Sequence, residues 1–389
     1  MDKKDPICGM KGTIQAHGHF FCSEYCIKKY EKDHGIEPEK NSCPSCEQKN
    51  KIPWYKERLY IISIITAILV AVSYFFDEFN PFFIAFKEYF LLIWWAILLG
   101  FIIGGIIDYF IPREYIEKYL SRHKKRTILY AIVFGFLMSA CSHGILAIAM
   151  ELYKKGSSTS AVIAFLLASP WANLPITVLL FGFFRLKAIL IVISALLIAI
   201  ITGLIYQKLE KKGWVECDKC ISGEDQQILA GFSIIKDIKR RWKNYNFTKD
   251  NINIALKGTL QGSWALTKMV MWWLIIGMIM ASVARVIAMQ YNELFIMYMG
   301  PTVLGLLVTL LFATVIEVCS EGSSPLAFEI YNQTRAFGNS FTFLMAGVAT
   351  DYTEIGLIWH NIGKKAAIWL PIITVPQILI LGYLFNLFV

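Results

Sequence analysis

Charge is the scarcest commodity in this 389-residue chain: Asp, Glu, Lys and Arg make up 17% of it, against 56% hydrophobic residues. Such a balance is foreign to a soluble domain, which keeps a charged surface around its core. Catalytic signatures are missing too. There is no HExxH pair, no nucleophile elbow and no glycine-rich nucleotide loop. Zinc-dependent proteolysis, serine hydrolysis and direct ATP drive therefore have no basis in the sequence, and the expectation is a protein that is not an enzyme. The polar first 50 residues lack the basic-then-apolar pattern of a secretory leader, so no cleaved signal is expected.

What the chain has in quantity is long apolar runs, at 59–76, 89–111, 159–184, 188–206, 264–288, 339–359 and 366–389. A helix rises about 1.5 Å per residue, so about 20 residues cross a hydrocarbon core of about 30 Å. The expected fold is an all-α polytopic membrane protein with about seven full spans. The net charge of +9 sits in loops that flank these runs, where it sets membrane orientation rather than binding nucleic acid.

Polar stretches divide the sequence into an N-terminal module (1–57), an extra helix with a first membrane part (58–206), a linker (207–257) and a second membrane part (258–389). The linker carries eleven Lys/Arg against seven Asp/Glu and includes "RRWKNYNF", an expected surface-lying amphipathic piece, and the pair Cys217/Cys220.

The membrane parts repeat each other. "MSACSHGILAIAMELY" (138–153) returns as "IEVCSEGSSPLAFEIY" (316–331) at an offset of 178 residues, and nine of the 28 positions from 141 to 168 are identical. Loop 112–127 has six Lys/Arg against two acids and, like the basic linker, should face the cytoplasm, whereas 77–88 and 289–301 should face outward. These sides agree only if 128–153 and 302–331 are re-entrant hairpins entering from opposite faces. The expectation is therefore two broken or re-entrant helices in two inverted repeats, with the N-terminus and linker cytoplasmic, in the inner (cytoplasmic) membrane. A broken but full-length span is the alternative.

Each Cys-Ser-X-Gly tip combines a flexible glycine, polar backbone at a broken helix and a soft thiol. Cys141, Ser142, His143, Cys319, Ser320 and Glu321 are candidate solute-binding residues, joined by Asn173 in "ASPWANLP" and its repeat partner Asp351. Sulfur favours Cu(I), Zn(II) or trivalent arsenic, although a lone buried cysteine also serves as a small hydrophobe. Glu317 and Glu321 are the candidates for proton coupling, because carboxylates inside a membrane are costly and face a pathway or a partner. Glu151 and Glu329 close their segments and read as interfacial. His143 titrates near neutrality and could carry a proton instead. The N-terminal module offers Cys8, Cys22, Cys26, Cys43 and Cys46 at spacings suited to zinc or another soft metal ion, which would staple a module too small to fold on its core.

Two resemblances follow from these residues. "DPICGM" with "FFCSEYC" resembles the YHS/TRASH-type metal-binding module over about residues 5–35. "CSHGILAIAMELYKKGSSTSAVIAFLLASPWANLP" and "EVCSEGSSPLAFEIY", with the "FLMAGVATDYTEIGLIWHNIGKKAAIWLP" that follows, resemble the predicted permease family that includes the organoarsenical efflux permeases, over about 88–389. The resemblance implies thiolate binding of a trivalent arsenical at Cys141 and Cys319. The first motif commonly reads Cys-Ser-Cys-Gly in that family, and His143 replaces its second cysteine here. A Cys/His pair suits zinc or copper as well as arsenic. The expected function is secondary-active efflux of a soft metal, metalloid or organoarsenical. A permease for an unrelated small solute and a membrane metal sensor are the alternatives.

Overall fold

The computed structural model describes residues 14–21, 30, 57–110, 125–137, 142–154, 157–216, 249–316 and 320–389, in two compact units, Met1–Lys56 and Glu57–Val389.

In the smaller unit, β1 (Ile14–Ala16) and β2 (His19–Phe21) pair antiparallel, with Ile14 opposite Phe21 and Ala16 opposite His19. His17 and Gly18 both take positive φ, 49° and 76°. Two such residues match the right-handed twist of a hairpin, and glycine supplies the second at no steric cost. The Tyr30 ring lies 5.4 Å from His19 and 6.4 Å from His17. Cys8, Cys22, Cys26, Cys43 and Cys46 lie outside the described residues, as does the "RRWKNYNF" segment of the linker.

The larger unit is helical throughout its described residues: α1 (Arg58–Phe75), α2 (Asn80–Phe110), α3 (Lys125–Leu137), α4 (Ser142–Lys154), α5 (Thr159–Ala172), α6 (Leu174–Phe184), α7 (Ala188–Lys211), α8 (Lys249–Gln290), α9 (Asn292–Met299), α10 (Val303–Ile316), α11 (Ser320–Thr334), α12 (Phe337–Ala349), α13 (Tyr352–Asn361) and α14 (Lys364–Phe388). Among the described residues, five stretches are long and apolar enough to cross a membrane: 58–75, 77–107, 174–211, 255–290 and 364–388. A sixth is reached if α9 and α10, bent by 95° at their junction, are taken together.

The seven unbroken spans expected from composition are not what forms. The run 159–184 breaks at Asn173, and 339–359 breaks at Thr350–Asp351. Chemistry at the breaks explains this. Asn173 has extended backbone (ψ 157°) and its Oδ1 accepts from Ile176 N at 2.8 Å, capping α6, while Pro175 sits in the first turn, where no N–H is needed. Asp351 does the same for α13, its Oδ1 accepting from Thr353 N (2.6 Å) and Glu354 N (2.9 Å). The 38-residue stretch 174–211 is likewise divided by a 3-10 turn at Arg185–Lys187, where Arg185 has φ 50°.

Every residue of α5 and of α12 is buried. Helices apolar all round belong in the middle of a bundle, and these two, which touch, form its centre. Outward-facing Leu, Ile, Trp and Phe of α1, α2 and α14 stay exposed, as a lipid-facing surface requires.

Contacts fix the directions of the helices. α2 and α8 run antiparallel: Glu88 meets Arg285 at one end, while Gly105 lies against Thr259 and Ser263 at the other. α7 and α14 are also antiparallel. Lys187 Nζ donates to the Val389 backbone oxygen (3.0 Å) and Tyr206 Oη to the Ala366 carbonyl (2.6 Å). The two ends of the bundle are accordingly named by Gly300 and Gly363. Asn339 Nδ2 donates to the Met299 and Gly300 carbonyls, both at 2.9 Å, so α10 starts, and α11 finishes, at the Gly300 end. α10 and α12 then run side by side to a common depth, where the Thr314 and Thr350 hydroxyls meet at 2.9 Å. The opposite arrangement holds for α3–α5. Ser160, at the start of α5, is bonded through N and Oγ to the Glu210 carboxylate near the end of α7, both at 2.9 Å. Ile128, early in α3, packs at Gly203. α3 starts, and α4 finishes, at the Gly363 end.

Candidate functional site

A cavity of about 30 Å³ lies where α2, α6, α8 and α11 converge. A void of that size accommodates about two waters. Its lining is apolar (Ala96, Ile97, Leu179, Leu266, Val270 and Leu274 among others) except for Asn173 and Glu321. Glu321 is the ionisable member of that lining. It lies in the first turn of α11, buried, with the Ser320 hydroxyl donating to its Oε2 at 3.2 Å. A carboxylate in the first turn of a helix is favoured by the positive end of the helix dipole, which partly offsets the cost of burying it among hydrocarbon.

The sequence placed Asn173 and Glu321 in one site although they lie in different membrane parts, and the fold brings both to this cavity. The connection is a helix break of the first part meeting the start of a helix of the second. Gly277 makes the approach possible. A methyl group added at Gly277 of α8 would stand 2.8 Å from Gly322 Cα and 2.7 Å from its carbonyl carbon, so α8 and α11 touch backbone to backbone next to Glu321. Small residues allow such contacts between membrane helices.

The remaining candidates are placed differently. Asp351 and Ser320 are buried, Asp351 as the cap of α13, which packs against α4. Ser142 and His143 fall in the first turn of α4 by backbone. Cys141, Glu317 and Cys319 lie outside the described residues. Among the described residues no cluster of three or more His, Cys, Asp or Glu is disposed to hold a metal ion.

One reading needs correction. Glu329, expected at an interface because it closes its segment, is 0% exposed and is held by Arg285, Tyr89 and Gln333. Its partner explains the burial. Arg285 was overlooked in the sequence, yet it is the one Lys or Arg between Lys268 and Arg335. A lone cation in an apolar run that long signals a buried anion on another helix.

Comparison with known proteins agrees with the membrane architecture. Residues 78–387 match the family model described as a predicted permease, ArsP_1. UPF0718 protein YcgR of Bacillus subtilis is 35% identical over 77 residues, 20% of this chain and 26% of that protein. UPF0718 protein YraQ of Escherichia coli is 30% identical over 95 residues, 24% and 27% of the two chains. A UPF0718 protein of Methanocaldococcus jannaschii is 26% identical over 140 residues, 34% and 38%. The matched regions thus span well under half the length of these relatives. No solved structure matches.

Proposed function

Since the chain belongs to the ArsP_1 family of predicted permeases and is therefore a multi-pass membrane transporter rather than an enzyme, we propose that it is a secondary-active exporter of a soft metal, metalloid or organoarsenical. In this reading the solute passes between two inverted halves, each contributing a re-entrant hairpin. Several observations support the inversion. The 178-residue offset of the sequence carries the start of α3 onto that of α10, α4 onto α11, α5 onto α12 and α6 onto α13, each within one residue. Equivalent long helices run antiparallel, α2 against α8 and α7 against α14. The hairpin-forming pairs start and finish at opposite ends of the bundle. Halves related this way place their axis in the membrane plane, and transporters built so hold their solute near the midplane.

The observation that carries the proposal is the cavity in which the break at Asn173 meets the start of α11 at Glu321. α4 packs on α13 in the reciprocal manner. Cys141 and Cys319 directly precede Ser142 and Ser320 in the sequence, the residues at which α4 and α11 start. Sulfur would bind the solute, with Ser142, His143 and Ser320 completing the polar shell and Glu317 or Glu321 exchanging a proton. Cys8, Cys22, Cys26, Cys43 and Cys46 would bind zinc or another soft metal ion in the N-terminal module and deliver or sense cargo. The basic loop 112–127 and the linker favour a cytoplasmic N-terminus in an inner membrane.

The test is accumulation of methylarsenite, arsenite, zinc, copper and silver in cells expressing the chain, beside Cys141→Ser, Cys319→Ser and Glu321→Gln variants. Export of one solute that fails in both cysteine variants, and loses its pH dependence in Glu321→Gln, is the expected result. Undiminished export by both cysteine variants would refute thiol ligation and select a permease for an unrelated small solute.

A further inference from the structure

The four helices that line the Asn173/Glu321 cavity meet again, nearer the Gly300 end, in a layer of aromatic and charged side chains. On α2, Tyr89 lies seven residues before the cavity-lining Ala96; on α6, Phe183 and Phe184 follow Leu179 by four and five. On α8, Arg285 follows Leu274 by eleven, and on α11, Phe328 and Glu329 follow Glu321 by seven and eight. Each offset leads toward the Gly300 end, because α2 starts there and α6, α8 and α11 finish there. Phe328 is the hub. Its ring lies 6.4 Å from that of Tyr89, 5.3 Å from Phe183 and 5.7 Å from Phe184. Beside it the Tyr89 hydroxyl donates to Glu329, and Arg285, 4.5 Å from the centre of the Tyr89 ring, holds both Glu329 oxygens through Nε at 3.3 Å. The same guanidinium reaches Glu88, whose side chain is 60% exposed, so the layer runs from the middle of the bundle to its surface.

We propose that this layer is the gate of the permease toward the Gly300 end, with Phe328 as its plug. A solute passes between that end and the cavity only when Phe328 leaves the pocket formed by Tyr89, Phe183 and Phe184. The inference rests on the transport reading, in which the two membrane parts move against each other, and the layer lies across their seam. Tyr89, Phe183 and Phe184 belong to the first part, and Arg285, Phe328 and Glu329 to the second. Ring contacts suit a seam that opens, since they part and re-form without leaving a polar group unpaired. The ion pair does the complementary work: a buried pair adds little net stability over an apolar filling, but its geometry specifies one arrangement, here the closed one.

Bundle packing does not demand the layer. At the 178-residue offset Tyr89, Phe183, Arg285 and Phe328 correspond to Thr267, Asn361, Ile107 and Met150. The matching positions of the repeat thus carry neither ring nor cation. A feature needed merely to pack these helices would recur in both parts; a seal placed in one of them belongs to the path.

The experiment is thiol labelling of the full chain in sealed membranes, with Leu179→Cys as the reporter. Leu179 lines the cavity one turn below Phe183. A peptide spanning 174–187 holds none of the nine native cysteines, so modification at 179 is read on it by mass spectrometry. Glu293→Cys, at an exposed position of α9, identifies the membrane face that carries the Gly300 end. A membrane-impermeant methanethiosulfonate added to that face should modify the reporter about tenfold faster once Phe328→Ala or Phe184→Ala is introduced. Phe312→Ala, which removes a ring from the contact of α10 with α12, should leave the rate unchanged. A reporter that already reacts from that face as fast as Glu293→Cys overturns the proposal, even if Phe328→Ala does not fold. So does a rate in folded Phe328→Ala equal to that of its parent, or an equal rise in Phe312→Ala. Labelling needs no solute, so export that fails in the cysteine variants beside an unchanged labelling rate would refute the gate and keep the exporter.

Discussion

Replacing Gly277 by Ala adds one methyl group and should disable the protein from the middle of α8. The new Cβ would lie 2.7–2.8 Å from the carbonyl carbon and Cα of Gly322, and closer still to its carbonyl oxygen. Nonbonded carbons separate by about 3.5–4.0 Å, so α8 and α11 must part by about 1 Å. Both sides of the contact are backbone, leaving no side chain to turn aside. Overpacking of this kind costs about 1–3 kcal/mol, and the gap opens beside Glu321. Gly347→Ala is the matched control: in α12, a Cβ there meets nothing within 4 Å, and removing glycine's extra unfolded-state freedom should stabilise by about 0.4–1 kcal/mol. Thermal denaturation of the two variants in one detergent should place Gly277→Ala below wild type and Gly347→Ala at or above it. Equal midpoints for Gly277→Ala and wild type would refute the backbone contact on which the placement of Glu321 depends.

Acid should loosen the Gly363 end. Burial by itself raises the Glu216 carboxyl, but the backbone N–H groups of Glu216, Lys365 and Ala366 and the Lys365 charge outweigh it and hold the group below the usual carboxylate range. A depressed value means that the stabilisation is present above the unfolded-state value and is lost as pH falls through the folded one. Protection of the Lys365 and Ala366 amides, corrected for intrinsic exchange, should therefore fall only as the pH drops below the usual carboxylate range, and Glu216→Gln should abolish that pH step; a step that persists in the variant counts against Glu216 as the cap of α14. At the other break, Asp351→Ala should cost about 1 kcal/mol as a lost helix cap, while Asp351→Asn, which caps equally well, should cost much less. Equal losses in calorimetry would indicate that the charge, not the cap, matters there.

The membrane class was legible in the sequence because apolar runs report on solvent, and solvent is what composition records. The sequence also shows the repeated motifs "CSHG" and "CSEG". Hidden were the breaks at Asn173 and Asp351, where hydropathy stays high on both sides and the decisive event is one side chain turning back on its own backbone. "WANLP" did carry the signal, as an Asn followed two residues later by Pro. Its repeat counterpart "TDYTE" has no proline, and only an N-cap reading of Asp351 would have found it. Glu329 was misplaced for another reason. Position at the end of a segment suggests an interface only if the segment spans, and α11 instead packs against α8 and α12 and reaches Tyr89 of α2. The long-range partners Tyr89 and Arg285 lie 240 and 44 residues away, beyond any periodic pattern.

The two carboxylates of α11 also differ in what the repeat does with them. Glu329 corresponds to Glu151, so the carboxylate recurs in both parts of the chain, but Arg285 corresponds to Ile107 and Tyr89 to Thr267. Glu321 corresponds to His143. At the starts of α4 and α11 the repeated motifs therefore set His143 opposite Glu321, and eight residues further along both keep a glutamate, while the position matching Arg285 is an isoleucine. Ionisable groups distributed this unevenly make the two membrane parts chemically different at corresponding positions.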